Sequence, residues 1–152
     1  MEIRVRLAEM EDAGRVNALY RALAELHKAA RPDVFASLAA DTMPVAAALI
    51  GDNGLILVAE DESGVVQGMI MGKVRGYRGQ PAQILWIDDL IVEDAARGKG
   101  IGSALLQAAR DYGRQQGCTR LELNVWAFNE TAVRFYEKNG LQVQRYILEE
   151  QL

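Results

Sequence analysis

The stretch Arg97-Gly98-Lys99-Gly100-Ile101-Gly102-Ser103 runs directly into an amphipathic helical pattern and decides how the chain is interpreted. Three glycines alternate in it, so the backbone can turn tightly with its N–H groups facing outward and no Cβ atom in the way. The following helix offers the unpaired N–H groups of its first turn and the positive end of its dipole. With the cations of Arg97 and Lys99, this Arg97–Ser103 loop predicts a phosphate site built mainly from main chain.

The spacing of the glycines indicates which class of phosphate ligand such a loop can bind. The dinucleotide fingerprint G-x-G-x-x-G needs a third glycine, but Ser103 or Leu105 stands there, depending on the starting glycine. The nucleotide P-loop fails because no glycine in the chain is followed by Lys-Ser or Lys-Thr. What remains is R-x-x-G-x-G, at Arg97, Gly100 and Gly102, which resembles the pyrophosphate signature of the GNAT superfamily, the acyl-CoA-dependent N-acetyltransferases. The alternative is a glycine-rich turn that only caps a helix.

A second motif lies downstream of the loop. The segment N-E-T-A-V-R-F-Y-E-K-N-G-L at 129–141 is similar to the family pattern N-x-x-A-x-x-F-Y-x-x-x-G-[FL]. The resemblance implies that Asn129 binds the cofactor and that Tyr136 is the general acid. A phenol of pKa ~10, modestly lowered, could protonate a leaving thiolate of pKa ~8.5. The alternative is that Phe135 and Tyr136 are core aromatics, which for Phe135 is the favoured interpretation.

Two carboxylates interrupt the most apolar predicted strand. Asp88 and Asp89 stand inside Ile87–Val92, and a buried carboxylate needs a partner or a function. Side chains alternate along a regular strand, so the two point to opposite faces unless a bulge changes the count. A carboxylate here resembles the family's general base, and Asp88 is favoured over Asp89. The alternative is that both are structural.

The resemblance also implies where the cofactor and acceptor bind. The backbone of the strand's end would pair with pantetheine, between splayed central strands, and a backbone N–H would stabilise the oxyanion. The acceptor is expected near the loop 31–37, with His27, Phe35 and Tyr77 as candidates on placement alone. The expected cofactor-binding set is Leu90, Ile91, Val92, Arg97, Gly98, Lys99, Gly100, Ile101, Gly102, Ser103 and Asn129.

Composition limits the remaining classes. The 152 residues, half of them hydrophobic and a quarter charged, indicate a single globular domain over 1–152. One cysteine, Cys118, and one histidine, His27, argue against a disulfide, a metal centre or a Ser-His-Asp triad. The net charge of −4 disfavours a nucleic-acid surface. No apolar run approaches the ~20 residues that a bilayer needs, so a cytoplasmic protein without membrane contact is expected.

Periodicity predicts the order strand, two helices, three strands, helix, strand, helix, strand. This order is also that of the GNAT fold, an α/β (mixed α+β) fold. The resemblance implies a central mixed, mostly antiparallel sheet of six to seven strands, flanked by four helices. The predicted strands are 2–6, 55–60, 65–74, 82–92, 120–125 and 141–148; the predicted helices are 9–30, 44–50, 100–116 and 130–138; a polar connection is predicted at 76–80.

The resulting prediction is an acyl-CoA-dependent N-acetyltransferase. It would move the acetyl group of acetyl-CoA to a primary amine by direct attack in a ternary complex, without a metal. The acceptor stays open among small amines, polyamines and peptide or protein N-termini. Expected partners are acetyl-CoA and the amine, with a homodimer as a candidate assembly. An acyl-CoA-binding module without catalysis and a nucleotide-binding regulator are the rival functions.

Overall fold

A computed structural model describes residues 2–35, 54–77 and 79–152 as a mixed sheet with helices packed on both faces. The strands stand in the order β1-β2-β3-β4-β5, antiparallel except that β5 runs parallel to β4. They are β1 (Arg4–Leu7), β2 (Gly54–Glu60), β3 (Val66–Tyr77), β4 (Gln80–Val92) and β5 (Cys118–Leu123). The α-helices of the described ranges are α1 (Ala13–Ala30), α2 (Pro32–Phe35), α3 (Ile101–Gln115) and α4 (Glu130–Lys138).

The fold class is confirmed, with five strands in the described ranges rather than six to seven. The first long helix begins with a separate 3-10 turn, Met10–Asp12. It ends at Ala30 as predicted, but α2 starts at once at Pro32, because proline suits the first position of a helix. The helix predicted at 44–50 lies outside the described residues.

A predicted connection and a predicted strand are wrong. The polar connection at 76–80 is instead part of a hairpin, since β3 continues through Tyr77 and β4 begins at Gln80. The predicted last strand, 141–148, is not a strand: residues 141–152 belong to no helix or sheet. Alternation shows only that a segment could form a strand, whereas a strand also needs an edge to pair with.

The core lies on both faces of the sheet. On one face, α3 buries Leu105, Leu106 and Ala109 against strands β2 to β4. On the other, α1 buries Val16 and Leu19 against the opposite face of the same strands. Each fully buried aliphatic side chain contributes about 1.5–3 kcal/mol. The two helices therefore clamp the central strands from both sides. No helix in the described ranges is both long and apolar enough to cross a membrane.

An ion-pair network fixes the start of α1 to the sheet. Arg6 donates to both carboxylate oxygens of Asp12, at 2.8 and 3.0 Å, and to Glu60 at 2.9 Å. Asp12 also accepts the backbone N–H of Glu9, at 2.7 Å. The Arg6 hydrogen bonds hold the pKa of Asp12 below its usual value. The position of α1 over the sheet is thereby set at its first turn.

Candidate active site

The central strands separate at one end of the sheet. Pairing between β4 and β5 ends at Ile87 and Leu123, although β4 continues to Val92. From Leu90 to Val92, the edge of β4 that faces away from β3 has no strand partner among the described residues. The backbone predicted to bind pantetheine is thus an open strand edge.

A β-bulge shapes β4 immediately before this edge. Met71 on β3 lies opposite Asp89 and Gly72 lies opposite Ile87, so Asp88 is the extra residue of the bulge. A Cβ atom on Gly72 would lie 2.6 Å from the carbonyl oxygen of Trp86. Glycine is therefore required where β3 passes the bulge. The bulge places the two carboxylates in different surroundings.

Asp88 is exposed, and its carboxylate lies 3.6 Å from Nζ of Lys73. Asp89 is half-buried and has no ion pair among the described residues. Burial, and secondly the charge of Asp88, raise the pKa of Asp89 to about 6. A carboxylate with a raised pKa is a stronger base than an ordinary one, and such groups concentrate at functional sites.

The charge of Asp89 acts on two phenols. Burial, and secondly the charge of Asp89, raise the pKa of Tyr136 on α4 to about 12. The same two causes raise the pKa of Tyr20 on α1. The expectation that Tyr136 has a lowered pKa is therefore wrong for the free protein, because a neighbouring carboxylate opposes ionisation of a phenol. Tyr20 was not predicted as a site residue, since its helical spacing placed it in the apolar stripe of α1.

Both ends of α4 are fixed by hydrogen bonds. At its start, Oδ1 of Asn129 accepts the N–H of Ala132 at 3.2 Å, which confirms the predicted N-cap. At its end, Gly140 has φ +90° and its N–H bonds to Glu137, while the N–H of Leu141 bonds to the carbonyl of Tyr136. These two bonds form a Schellman motif. These bonds therefore fix the last turn of α4, which carries Tyr136.

The predicted phosphate loop has the expected backbone geometry. Gly98 and Gly100 both have φ +79°, and Gly100 stands immediately before α3. The N–H groups of Gly98, Lys99 and Gly100 have no acceptor within the described residues. Nothing lies within 4 Å of a Cβ atom built on Gly98 or Gly100. Three N–H donors without an acceptor among the described residues thus stand directly before a helix.

Gly102 differs from the other two loop glycines. A Cβ atom there would lie 3.0 Å from Cζ of Phe135 on α4. Gly102 therefore lets α3 and α4 approach each other, and Phe135 is a packing residue, as favoured from the sequence. The side chain of Arg97 is exposed and paired with Asp94 at 3.0 Å.

Comparison with known proteins agrees with this geometry. The acetyltransferase (GNAT) family profile matches residues 17–141. The chain belongs to this family. It is 30% identical to the uncharacterised N-acetyltransferase YhfO of Bacillus subtilis, over 91% of this chain and 89% of YhfO. It is 36% identical to a mycothiol acetyltransferase of Propionibacterium freudenreichii over 58% of this chain, but spans only 28% of that protein.

Solved structures show the same fold. The tetramutant of the BH1408 protein of Bacillus halodurans superposes with a TM-score of 0.90 at 30% identity. The match covers 98% of this chain and 99% of that chain. The GNAT fold is thus common to both proteins over nearly their whole length.

Four aromatic rings lie where the acceptor was expected in this GNAT chain. His27 stacks on Phe35 with ring centres 5.1 Å apart, and both contact rings that follow β5. Those rings, Trp126 and Phe128, stack on each other at 5.8 Å. Burial lowers the pKa of His27. The cluster joins α1 and α2 to the loop before α4; nothing in its geometry tests the acceptor role expected for His27 and Phe35.

The part of the chain that the structure describes holds no group of three or more His, Cys, Asp or Glu side chains that could hold a metal ion. Burial raises the pKa of the Cys118 thiol, which makes it a poor nucleophile.

Proposed function

We propose that this GNAT protein transfers the acetyl group of acetyl-CoA to a primary amine by direct attack. The observation that carries the proposal is that Asp89 lies on β4 next to its unpaired end and that the charge of Asp89 acts on the phenol of Tyr136. A base and a proton donor beside an open strand edge are the groups that aminolysis of a thioester needs.

The cofactor would be held by main chain. Pyrophosphate oxygens would accept the free N–H groups of Gly98, Lys99 and Gly100 at the start of α3. Pantetheine would pair with the open edge of Leu90–Val92 as an added strand. Because the pyrophosphate and pantetheine are bound far from the thioester, the reactive carbonyl carbon is positioned without side chains that contact it.

The transfer needs one group that removes a proton from the amine and another that protonates the leaving thiolate. Asp89, rather than Asp88, would accept the proton of the ammonium, because burial raises the pKa of Asp89, whereas the carboxylate of Asp88 lies 3.6 Å from Nζ of Lys73. The amine nitrogen then attacks the carbonyl carbon and the carbon–sulfur bond breaks. Tyr136 gives its proton to the departing thiolate, which leaves as free CoA, and the remaining excess proton on the attacking nitrogen passes to the Tyr136 phenolate as the neutral amide forms.

The test is release of free thiol from acetyl-CoA with a panel of small amines, polyamines and short peptides. The proposal predicts release that depends on both acetyl-CoA and one class of amine. An acyl-CoA-binding module would instead bind acetyl-CoA in calorimetry and release no thiol with any amine. The class that supports release also identifies the acceptor.

A further inference from the structure

The sheet face on which α1 packs carries two cations on β3. Along this strand Val74 contacts the core under α3, whereas Met69 is buried in the core under α1 and Met71 packs against that core. Side chains alternate between the faces of a strand, so Lys73 and Arg75 lie on the α1 face. Both are exposed.

Asp89 lies on the same face of the sheet. In β4, Leu90 contacts the core under α3 and Ile91 is buried in the core under α1, so alternation places Asp89 on the α1 face. Its partner on β3, Met71, packs against the core on that face as well. An amine that gives its proton to Asp89 therefore approaches from the face that carries the two cations.

An aromatic ring positions the guanidinium of Arg75. Its central carbon lies 4.1 Å from the centre of the Trp86 ring. A guanidinium that stacks on a ring keeps the N–H groups of its edge for two parallel hydrogen bonds to a carboxylate or phosphate. Within the described ranges Arg75 has no ion pair.

Two carboxylates next to this ring in the sheet have other cations as partners. On one side, Nζ of Lys73 lies 3.6 Å from the carboxylate of Asp88. On the other side, Glu122 of β5 stands opposite Trp86 and accepts from Arg120 at 3.2 Å. Each pair is neutral as a whole. The guanidinium on the ring is therefore the surplus positive charge among these groups.

The ring that holds Arg75 lies close to Asp89 along the sheet. Trp86 stands opposite Lys73 on β3, two residues from the residue opposite Asp89. Two residues of a strand span about 7 Å. A small acceptor can therefore reach both positions at once.

We propose that the acceptor is an amine that also carries an oxyanion, and that Arg75 binds this oxyanion while Asp89 receives the proton of the amine. The assignment rests on the proposed acetyl transfer and names its substrate class. The distance of about 7 Å calls for an amine and a carboxylate or phosphate that are separated by several bonds. A polyamine would instead place a second positive charge beside Arg75, which disfavours its binding.

Steady-state thiol release with acceptors of equal chain length tests the oxyanion site. The acceptors are an ω-amino carboxylate, an ω-aminoalkyl phosphate, a neutral alkylamine and a diamine. The wild type should have a lower KM for at least one anionic acceptor than for the alkylamine, and a higher KM for the diamine. The carboxylate and phosphate arms identify which oxyanion Arg75 binds.

Arg75→Gln keeps a planar group over Trp86 but removes the charge. It should raise the KM of the preferred anionic acceptor roughly 10–100-fold, the effect of losing charged hydrogen bonds. The kcat, the KM of acetyl-CoA and the KM of the alkylamine should not change. Arg75→Lys should restore part of the loss. Arg114→Gln, which removes an exposed arginine paired with Asp111 on α3, is the matched control and should behave as the wild type.

The outcomes distinguish this inference from the proposed function. If the wild type releases thiol equally well with neutral and anionic amines, or best with the diamine, the oxyanion site is wrong and the acetyl transfer stands. The same holds if Arg75→Gln weakens the alkylamine as much as the anionic acceptor. If no amine supports release, the acetyl transfer is wrong, and this acceptor with it.

Discussion

Burial, and after it the charge of Asp89 on β4, raise the pKa of the Tyr136 phenol on α4. A proton transferred from the acceptor amine to Asp89 would remove that charge, and with it part of the opposition to ionisation of Tyr136. The base step would then make the phenol a better acid at the moment the thiolate leaves. Because the two groups are coupled, removal of either should impair the same step.

Tyr136→Phe keeps the ring and its packing but removes the proton. Turnover should fall by roughly 10²–10⁴-fold, the usual effect of a positioned acid. Affinity for acetyl-CoA and the melting temperature should barely change. Tyr112→Phe, in a partly buried tyrosine packed against the same core, is the matched control. Near-normal turnover of Tyr136→Phe would show that only the ring is needed.

The pH dependence of kcat/KM should locate the base. The rate should fall as the pH drops below about 6, because Asp89, whose pKa is raised to about 6, becomes protonated there. Asp89→Asn should lose most of the turnover and the low-pH limb. Asp88→Asn should keep turnover but shift the limb to lower pH, because the charge of Asp88 no longer raises the pKa of Asp89. If only Asp88→Asn is inactive, the assignment is reversed.

The raised pKa of Asp89 also predicts a cost in stability. The pKa of this carboxyl rises from 3.8 to about 6 on folding. Between these values the folded chain keeps a proton that the unfolded chain has lost, so stability falls as the pH rises, and the loss is complete above about 6. It amounts to at most about 3 kcal/mol, from 1.36 kcal/mol for each pH unit.

Asp89→Asn should therefore melt at a higher temperature than the wild type at pH 7.5 and at the same temperature near pH 4. Thermal unfolding followed by circular dichroism at both pH values checks this. A variant that is less stable than the wild type at pH 7.5 would show that the ionised carboxylate has a stabilising partner in the folded protein.

Variants at two glycines of the Arg97–Ser103 loop should distinguish cofactor binding from helix packing. Gly100→Val adds a side chain to the proposed pyrophosphate loop without a clash in the protein, so acetyl-CoA binding should be lost while backbone strain costs the fold about 1–2 kcal/mol. Gly102→Val meets the Phe135 ring, so it should lower the melting temperature more. If calorimetry shows undiminished acetyl-CoA affinity in folded Gly100→Val, the pyrophosphate does not bind to this loop.

Local signals predicted much of the fold and part of the site. The helix ends at Gly117 and Gly140 and the cap at Asn129 follow from glycine's freedom at positive φ and from an amide oxygen at an N-cap. The positive φ angles of Gly98 and Gly100 follow from the same rule. These features depend on residues near one another in the chain, which is why the sequence alone indicates them.

The features that the sequence did not predict depend on contacts between residues far apart in the chain. The environment of Asp89 is set by its burial and by the bulge at Asp88, opposite Gly72. Tyr20 approaches Asp89 only through the packing of α1 on the sheet, and helical spacing cannot distinguish it from a core residue. The last predicted strand failed because its alternation does not specify an edge.

Intact-mass spectrometry of a single turnover tests direct transfer most directly. The protein is mixed with acetyl-CoA alone, and then with the amine that supports thiol release. Direct attack predicts an unmodified chain of 16.7 kDa in both mixtures and an acetylated amine in the second only. A protein that gains one acetyl group from acetyl-CoA and passes it to the amine, or an amine that is never acetylated, would contradict the account.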